Sequence, residues 1–413
     1  MCDMMEVVRN DITHYYSEAR IFPKAELFWM SVLGCCFLAP YVPLHPKLNE
    51  SASALEIFVP HVIVRISFSL PVSSHSKEEN MAGSTFGNNY RITTWGESHG
   101  PAVGVVIDGC PSGFLLDFDA MQKYMERRKP GDNAHSTARK ESDEIQILSG
   151  VYQGKTLGTP ISMIFYNKDT KSKDYDLLKH IYRPGHGDAV YDYKYGIRDH
   201  RGGGRASGRE TVCRVAAGSI AVQILNALGI HFTTTTALPT KEELDAIKQS
   251  KDSVGGQVTV AISGVPAGLG EPVFDKLDAL LSQAVFSVGG VKAVEIGAGK
   301  KCETMQGSAF NDAILSKTDT GIHTRSNNAG GILAGISNGE EIIVSASIKP
   351  TPSIGLQQDT ITDTGAPTTL SVSGRHDTTI VPRAAVVIES MCAITLLDLL
   401  LAQNHARFSD LQS

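Results

Sequence analysis

Along this chain, the spacing of apolar residues and the interruptions by glycine, proline and charge predict a mixture of short strands and helices. Ala102-Val103-Gly104-Val105-Val106-Ile107-Asp108-Gly109 is a small-and-apolar run closed by a turn signal, which reads as a buried strand. Asp117 can cap a helix that carries Phe118, Met121, Tyr124 and Met125 on one face. That helix should end at Arg127-Arg128-Lys129-Pro130-Gly131, where cations suit the C-terminal dipole and a breaker follows. Ile145 to Tyr152 and Thr159 to Tyr166 are rich in strand formers and separated by Gly154-Lys155, so a hairpin is expected.

Helical spacing returns from Glu210 to Leu228, with Val212, Val215, Ala216, Ile220 and Leu228 on the apolar face and Gly229 as the stop. Thr240 and Glu243 have the spacing of a capping box. Gln257 to Val265 alternates as a strand, and Val291 to Ile296 and Glu341 to Ile348 read the same way. Pro272 is placed to open a helix through Phe274, Leu277, Leu281 and Val285. Ala384 to His405 is apolar on nearly every side, long enough to raise a membrane reading. Glu389 and Asp398 within it favour a helix buried in a protein core. Hairpins and helices mix without strict βαβ alternation, so the expected class is α+β.

The first 80 residues have another texture. Leu27 to Leu44 is uncharged and largely apolar but broken by Pro40 and Pro43, and Ile57 to Leu70 is broken by Pro60, His61 and Arg65. The first run falls short of the roughly 20 apolar residues of a membrane span. Acidic residues precede it, which fits neither a secretory signal nor a plastid transit peptide. Lys77-Glu78-Glu79-Asn80 can be encoded by a purine-rich stretch containing AAGGAGG, similar to a bacterial ribosome-binding sequence, just before Met81-Ala82-Gly83. The expectation is an atypical extension over residues 1–80, read as translated upstream DNA or a genuine leader, and a catalytic domain over 81–413.

Composition adds limits. The 413 residues are 42% hydrophobic and 20% charged, ordinary for a globular protein, and the net charge of -6 disfavours general nucleic-acid binding. Seven cysteines are scattered without zinc spacing, so no metal site is expected. Reduced thiols in a cytoplasmic compartment are the default.

The candidate chemistry centres on Arg198-Asp199-His200-Arg201-Gly202-Gly203-Gly204-Arg205-Ala206-Ser207-Gly208-Arg209. Glycines admit close backbone approach, arginines fork onto phosphate or carboxylate, and the following helix offers its N-terminus. A multiply anionic small molecule fits this pattern; the other reading, an RNA-binding RGG segment, would need repeats in low-complexity sequence. His99 in Gly96-Glu97-Ser98-His99-Gly100 can exchange a proton near neutral pH, or can be a loop histidine satisfied by backbone. His186 in Arg183-Pro184-Gly185-His186-Gly187-Asp188 stands in a turn and could be a surface residue. The Gly330–Gly339 stretch fits a tight loop, and Lys349-Pro350-Thr351-Pro352-Ser353 fits either a phosphate-holding strand end or a surface turn. Asp377, beside Arg375 and His376, could be an ordinary ion-pair member or a base.

Taken together, Thr93-Thr94-Trp95-Gly96-Glu97-Ser98-His99-Gly100, the glycine-arginine stretch and Gly374-Arg375-His376-Asp377 resemble the chorismate synthase family, over about Met81 to Phe408. The resemblance implies helices between antiparallel sheets, assembled as a homotetramer. It implies a 1,4-elimination of phosphate from 5-enolpyruvylshikimate 3-phosphate, giving chorismate, with reduced FMN regenerated without net redox. His99 would act as an acid near the substrate and His186 near the flavin pyrimidine ring. Ser98 and Ser207 would orient these groups, and Asp377 would assist proton removal near flavin N5. Arg205, Ala206 and Ser207 would lie against the flavin. Ala334, through its main chain, and Lys349 to Ser353 would hold FMN, and Arg375 would contact it. Arg128 belongs to a pattern associated with nicotinamide nucleotide binding, so NADPH is a candidate reductant.

Four departures from the family stand out. Gly187 replaces the usual alanine, and Ala206-Ser207-Gly208 replaces Ser-Ser-Ala. Ala134 stands where Pro-Gly-x-x-Arg has its arginine, and residues 230–255 are short by about a helix and its loops. The competing readings are another flavin- or phosphate-dependent lyase on the same scaffold, an RNA-binding module, and a membrane protein defined by the leader.

Overall fold

The structure is a computed structural model of the chain and describes residues 54–59, 62–67, 83–128, 143–167, 178–372 and 377–402. The chain divides into two units, Met1–Asn80 and Met81–Ser413. In the first, strands Ala54–Val59 and Val62–Ser67 pair antiparallel, with Val59 opposite Val62. The run at Leu27 to Leu44 lies outside the described residues.

In the second unit, strands β1 (Arg91–Gly96), β2 (Ala102–Asp108) and β3 (Ile161–Tyr166) form the centre of an antiparallel sheet. Its edges are the short strands Thr85–Phe86 and Gln146–Ile147. The expected hairpin is divided: Val151–Tyr152 and Lys155–Thr156 form their own two-stranded turn, while Gln146 pairs with Ile164 of β3. Helix α1 (Phe118–Glu126) begins where Asp117 accepts a hydrogen bond from the Ala120 N–H, and ends at Arg127, as its sequence predicts. Helices α2 (Asp188–Tyr195) and α3 (Thr211–Ala227) follow, with Gly229 (φ 82°) stopping the α3 segment.

The second sheet is antiparallel in the order β4 (His231–Ala237), β5 (Gly256–Ser263), β7 (Ile342–Ile348), β6 (Val291–Ile296). Helix α4 (Lys241–Gln249) connects β4 to β5 and carries the complete Thr240–Glu243 capping box. Helix α5 (Leu277–Phe286) begins later than Pro272 predicts. Val273 has a left-handed φ of 81°, and Leu277 N–H donates to Gly335 O, so residues 271–276 form a turn instead.

The last helix, α6 (Val381–Ala402), lies beside α3, and the two fill the space between the sheets. Alpha3 meets the first sheet and α6 the second, giving an α+β architecture of helices sandwiched by antiparallel sheets. Alternate residues of the second sheet, Val258, Val260, Ile262, Ile342, Val344 and Ala346, are fully buried. At the helix crossing, a Cβ at Gly218 would stand 2.3 Å from Ser390 Cβ, so only glycine permits this approach. Among the described residues α6 alone is long and apolar enough to cross a membrane, and its most apolar window is 72% buried inside the fold. Its two acids have partners. Glu389 receives a bidentate pair from Arg127 at 2.7 and 2.6 Å and a hydroxyl bond from Thr234. Asp398 accepts the main-chain N–H groups of Asn88, Asn89 and Tyr90, tying α6 to the turn that precedes β1.

Candidate active site

The site grows from the end of β1. Gly96 (φ 92°) lets the chain reverse where a side chain would strike Ala102 O at 2.3 Å, and Gly100 N–H closes the turn on Glu97 O at 3.1 Å. Asn167, just beyond β3, donates its Nδ2 to Glu97 O and Gly100 O at 3.0 and 2.8 Å. This anchored turn presents Ser98 and His99, both buried, with Ser98 Oγ 3.1 Å from His99 Nδ1.

Side chains pack against each of the three consecutive glycines. A Cβ at residue 202 would stand 2.3 Å from His99 Nδ1 and 3.0 Å from Ser98 Oγ. At residue 203 it would stand 3.3 Å from His186 Nε2, and at residue 204 it would stand 2.8 Å from Glu97 Oε2. Gly202 (φ 89°) and Gly204 (φ 52°) also adopt left-handed backbone. The loop is thus the wall against which both imidazoles and a carboxylate rest. Burial raises the Glu97 carboxyl above its ordinary value, while the nearby Arg205 guanidinium pulls it down.

Two short 3₁₀ turns, Gly204–Ala206 and Gly208–Glu210, lead from the loop into α3. Arg205 ties the first to β1: Nη2 donates to Thr94 O at 3.1 Å and Thr94 Oγ1 at 2.5 Å, and Nη1 donates to Gly96 O at 3.3 Å. Ser207 Oγ caps the second by accepting from Arg209 N–H at 3.3 Å. Ala206 is exposed beside the Gly187 position.

His186 stands in a turn closed by its own N–H on Arg183 O at 3.2 Å, with Gly185 in left-handed backbone (φ 69°). Its Nδ1 lies 2.9 Å from Asp188 Oδ1. The segment after β7 packs onto this turn. Lys349 Nζ donates to Gly185 O at 2.6 Å, and Pro352 Cβ would be 3.5 Å from a Cβ at Gly185. Burial and the neighbouring Lys292 lower the Lys349 ammonium below its ordinary value. Pro350 is exposed, and Thr351 and Ser353 are half-buried. Thr351 Oγ1 donates to the Asp377 carbonyl at 3.2 Å, and the Asp377 carboxylate pairs with Arg383 at 2.8 Å.

Beneath the loop lies a buried brace. Asp143, fully buried, accepts Arg209 Nη1 at 2.5 Å and both Nε and Nη2 of Arg128. Arg128 Nη1 also reaches Gly208 O at 3.5 Å, and Arg209 Nε donates to Asn167 Oδ1 at 2.8 Å. The brace therefore runs from the α1 terminus to both the glycine loop and the His99 turn.

Of the residues predicted from sequence, Ser98, His99, His186, Arg205, Ala206 and Ser207 gather around the glycine loop. Lys349 to Ser353 and Asp377 join through the His186 turn and through Thr351. Arg128 lies underneath, bound to Asp143. Ala334 (φ 54°) sits on a separate hairpin turn that packs against Gly270, Glu271, Lys276 and Leu277. Arg375 lies outside the described residues. Asp188, Asn167 and Asp143 were not predicted. Asp188 carried a signal, two residues after His186; Asn167 and Asp143 carried none, because only tertiary contact brings them here.

Such an arrangement can exchange protons at two imidazoles facing one glycine-lined wall, with hydroxyls at hand to orient a ligand. Comparison with known proteins agrees. The chorismate synthase family model matches residues 90–401. The chorismate synthase of Desulfosudis oleivorans is 50% identical over 353 residues, covering 78% of this chain and 98% of that protein. That of Lachnoclostridium phytofermentans is 48% identical over 352 residues, covering 78% and 96%. A solved structure described as a crystal structure of chorismate synthase aligns with a TM-score of 0.60 at 27% identity, covering 79% of this chain and 96% of that one. With its sandwiched helices, its paired histidines and these relatives, the chain belongs to the chorismate synthase family.

Proposed function

We propose that the chamber walled by Ser98, His99, His186 and the Gly202–Ser207 loop is where this chain eliminates phosphate from 5-enolpyruvylshikimate 3-phosphate. The enzyme is a carbon–oxygen lyase that forms chorismate, the last common precursor of the aromatic amino acids. The observation that carries the placement is the convergence of His99 and His186 on adjacent residues, Gly202 and Gly203.

The residues present fit reduced FMN. Lys349, Thr351 and Ser353 supply an ammonium and hydroxyls for its phosphate, with Arg205, Ala206 and Ser207 along its ring system. The glycines at 202–204 give their side-chain space to His99, Ser98, His186 and Glu97, which brings both imidazoles to the loop where the ring system would lie. When bound, reduced FMN supplies transient electron density for cleaving a C–O bond whose partner C–H is not acidic. The chain does the rest. Neighbouring arginines of the 198–209 stretch offset the anionic substrate and the charge growing on the departing phosphate. His99, oriented by Ser98, donates a proton toward the phosphate side. His186 holds a proton near the flavin, and Asp377, steadied by Arg383, assists removal of the substrate proton.

Two observations favour delivery of already reduced flavin over reduction by NADPH on the chain. Arg128 is buried against Asp143, and Ala134 stands where the family has arginine. The catalytic unit in this reading is 81–413, working as a cytoplasmic homotetramer. The exposed apolar side chains of Val273, Phe274, Ile314 and Leu315 supply surface for that assembly.

The test is anaerobic phosphate release from 5-enolpyruvylshikimate 3-phosphate with photoreduced FMN, with and without NADPH. Release only with reduced flavin, independent of NADPH, is expected. Release with oxidised FMN, or none under any condition, would overturn the reading.

A further inference from the structure

The geometry points to Asp188 as a positioning residue that fixes the His186 ring, with Arg183 bracing this pair against the glycine loop behind His99. This inference rests on the reading that His186 handles a proton.

Asp188 is the first residue of α2 and is buried. Its Oδ1 accepts Arg183 Nη2 at 2.7 Å and faces His186 Nδ1 at 2.9 Å. Its Oδ2 accepts the Arg183 main-chain N–H at 3.1 Å and Arg183 Nε at 2.8 Å. Arg198 Nη1 lies 3.6 Å from Oδ1, so two guanidinium groups and one imidazole share this carboxylate. Burial by itself would raise the Asp188 carboxyl, but the hydrogen bonds from Arg183 and His186 outweigh it and hold the group well below the usual carboxylate range.

An ionised carboxylate only accepts hydrogen bonds, so His186 Nδ1 must carry the proton in the contact. In the neutral ring Nε2 is then bare, and Nε2 is the atom that faces Gly203. Proton exchange at His186 is thereby confined to one nitrogen with a fixed direction. Arg183 extends the effect. The Nη2 that binds Asp188 also donates to Gly202 O at 3.1 Å, and Gly202 is the residue against which His99 rests. One guanidinium thus sets the spacing between the two imidazoles.

A purely structural ion pair would leave ring tautomer and kinetic coupling untouched, so both are measured. The full chain is labelled with ¹⁵N-histidine, and His186 is assigned by its loss in His186→Ala. Long-range ¹H–¹⁵N spectra of the parent should show His186 as the Nδ1–H tautomer, with an Nε2–H fraction appearing in Asp188→Asn. Turnover of Asp188→Asn should fall within the roughly 10²–10⁴-fold range that acid–base groups contribute, with KM little changed. On a His186→Ala background Asp188→Asn should cost nothing further, since it acts through the ring. An Nε2–H tautomer in the parent overturns the inference, and does so even if Asp188→Asn fails to fold. A full additional loss on the His186→Ala background also overturns it. Parental turnover in His186→Ala would instead remove the histidine's proposed role, while the tautomer still judges the Asp188 contact.

Discussion

His99 occupies the space that a side chain on Gly202 would need: a Cβ there would lie 2.3 Å from the imidazole Nδ1. Gly202 also has a φ of 89°, which other residues adopt only under strain. Gly202→Ala is therefore expected to displace His99 and to cost about 1–3 kcal/mol of stability. Gly203 has an ordinary φ of -105°, and its Cβ would be 3.2 Å from Ser207 N and 3.3 Å from His186 Nε2, tight contacts but no overlap like that at Gly202. Gly203→Ala should thus reduce turnover with a smaller loss of stability than Gly202→Ala. Denaturant unfolding and phosphate-release kinetics on both variants separate the two effects; equal destabilisation would contradict this packing.

His99→Ala and His186→Ala should each lower kcat by roughly 10²–10⁴-fold, the range for positioned proton-transfer groups. Steady-state kinetics with reduced FMN checks this. Turnover within about twofold of the parent would remove the corresponding role, since a general acid or base contributes far more than that.

Asp143 separates the buried guanidinium groups of Arg128 and Arg209. Asp143→Asn leaves two buried cations without their shared anion and should destabilise the protein by about 3–5 kcal/mol. Urea unfolding measures the loss. FMN affinity should fall as well, because Arg209 and Gly208 adjoin the Ser207 turn.

Acid should weaken the Asp188 cluster in a defined direction. The folded-state carboxyl is held below its unfolded value, so its stabilising contribution is complete above about pH 4 and declines as pH falls further. The stability difference between the parent and Asp188→Asn should be largest near neutral pH and shrink below about pH 4. Unfolding curves at neutral and acid pH test this; a difference that grows on acidification would contradict the direction.

Local signals made much of the framework legible. Asp117, Thr240 with Glu243, and Gly229 mark helix ends because their partners lie within a turn or two of sequence. The helix expected from Pro272 forms but starts at Leu277, because residues 271–276 are set by a distant hairpin, through Leu277 N–H and Gly335 O. Glu389 and Asp398 announced a buried α6 correctly, but their partners Arg127 and residues 88–90 are more than 200 positions away. The site divides the same way. His99 and His186 stand in glycine-bounded turns that can be read directly, whereas Asn167, Asp143 and the Arg183 bond to Gly202 exist only once the sheets and helices assemble.

A crystal structure of the chain with FMN and 5-enolpyruvylshikimate 3-phosphate bound would test the shared chamber most directly. Both ligands should lie against the Gly202–Ser207 loop, with His99 and His186 each within about 3.5 Å of one of them, the outer limit of a hydrogen-bonded contact. Ligands bound elsewhere, with both imidazoles facing protein alone, would contradict it.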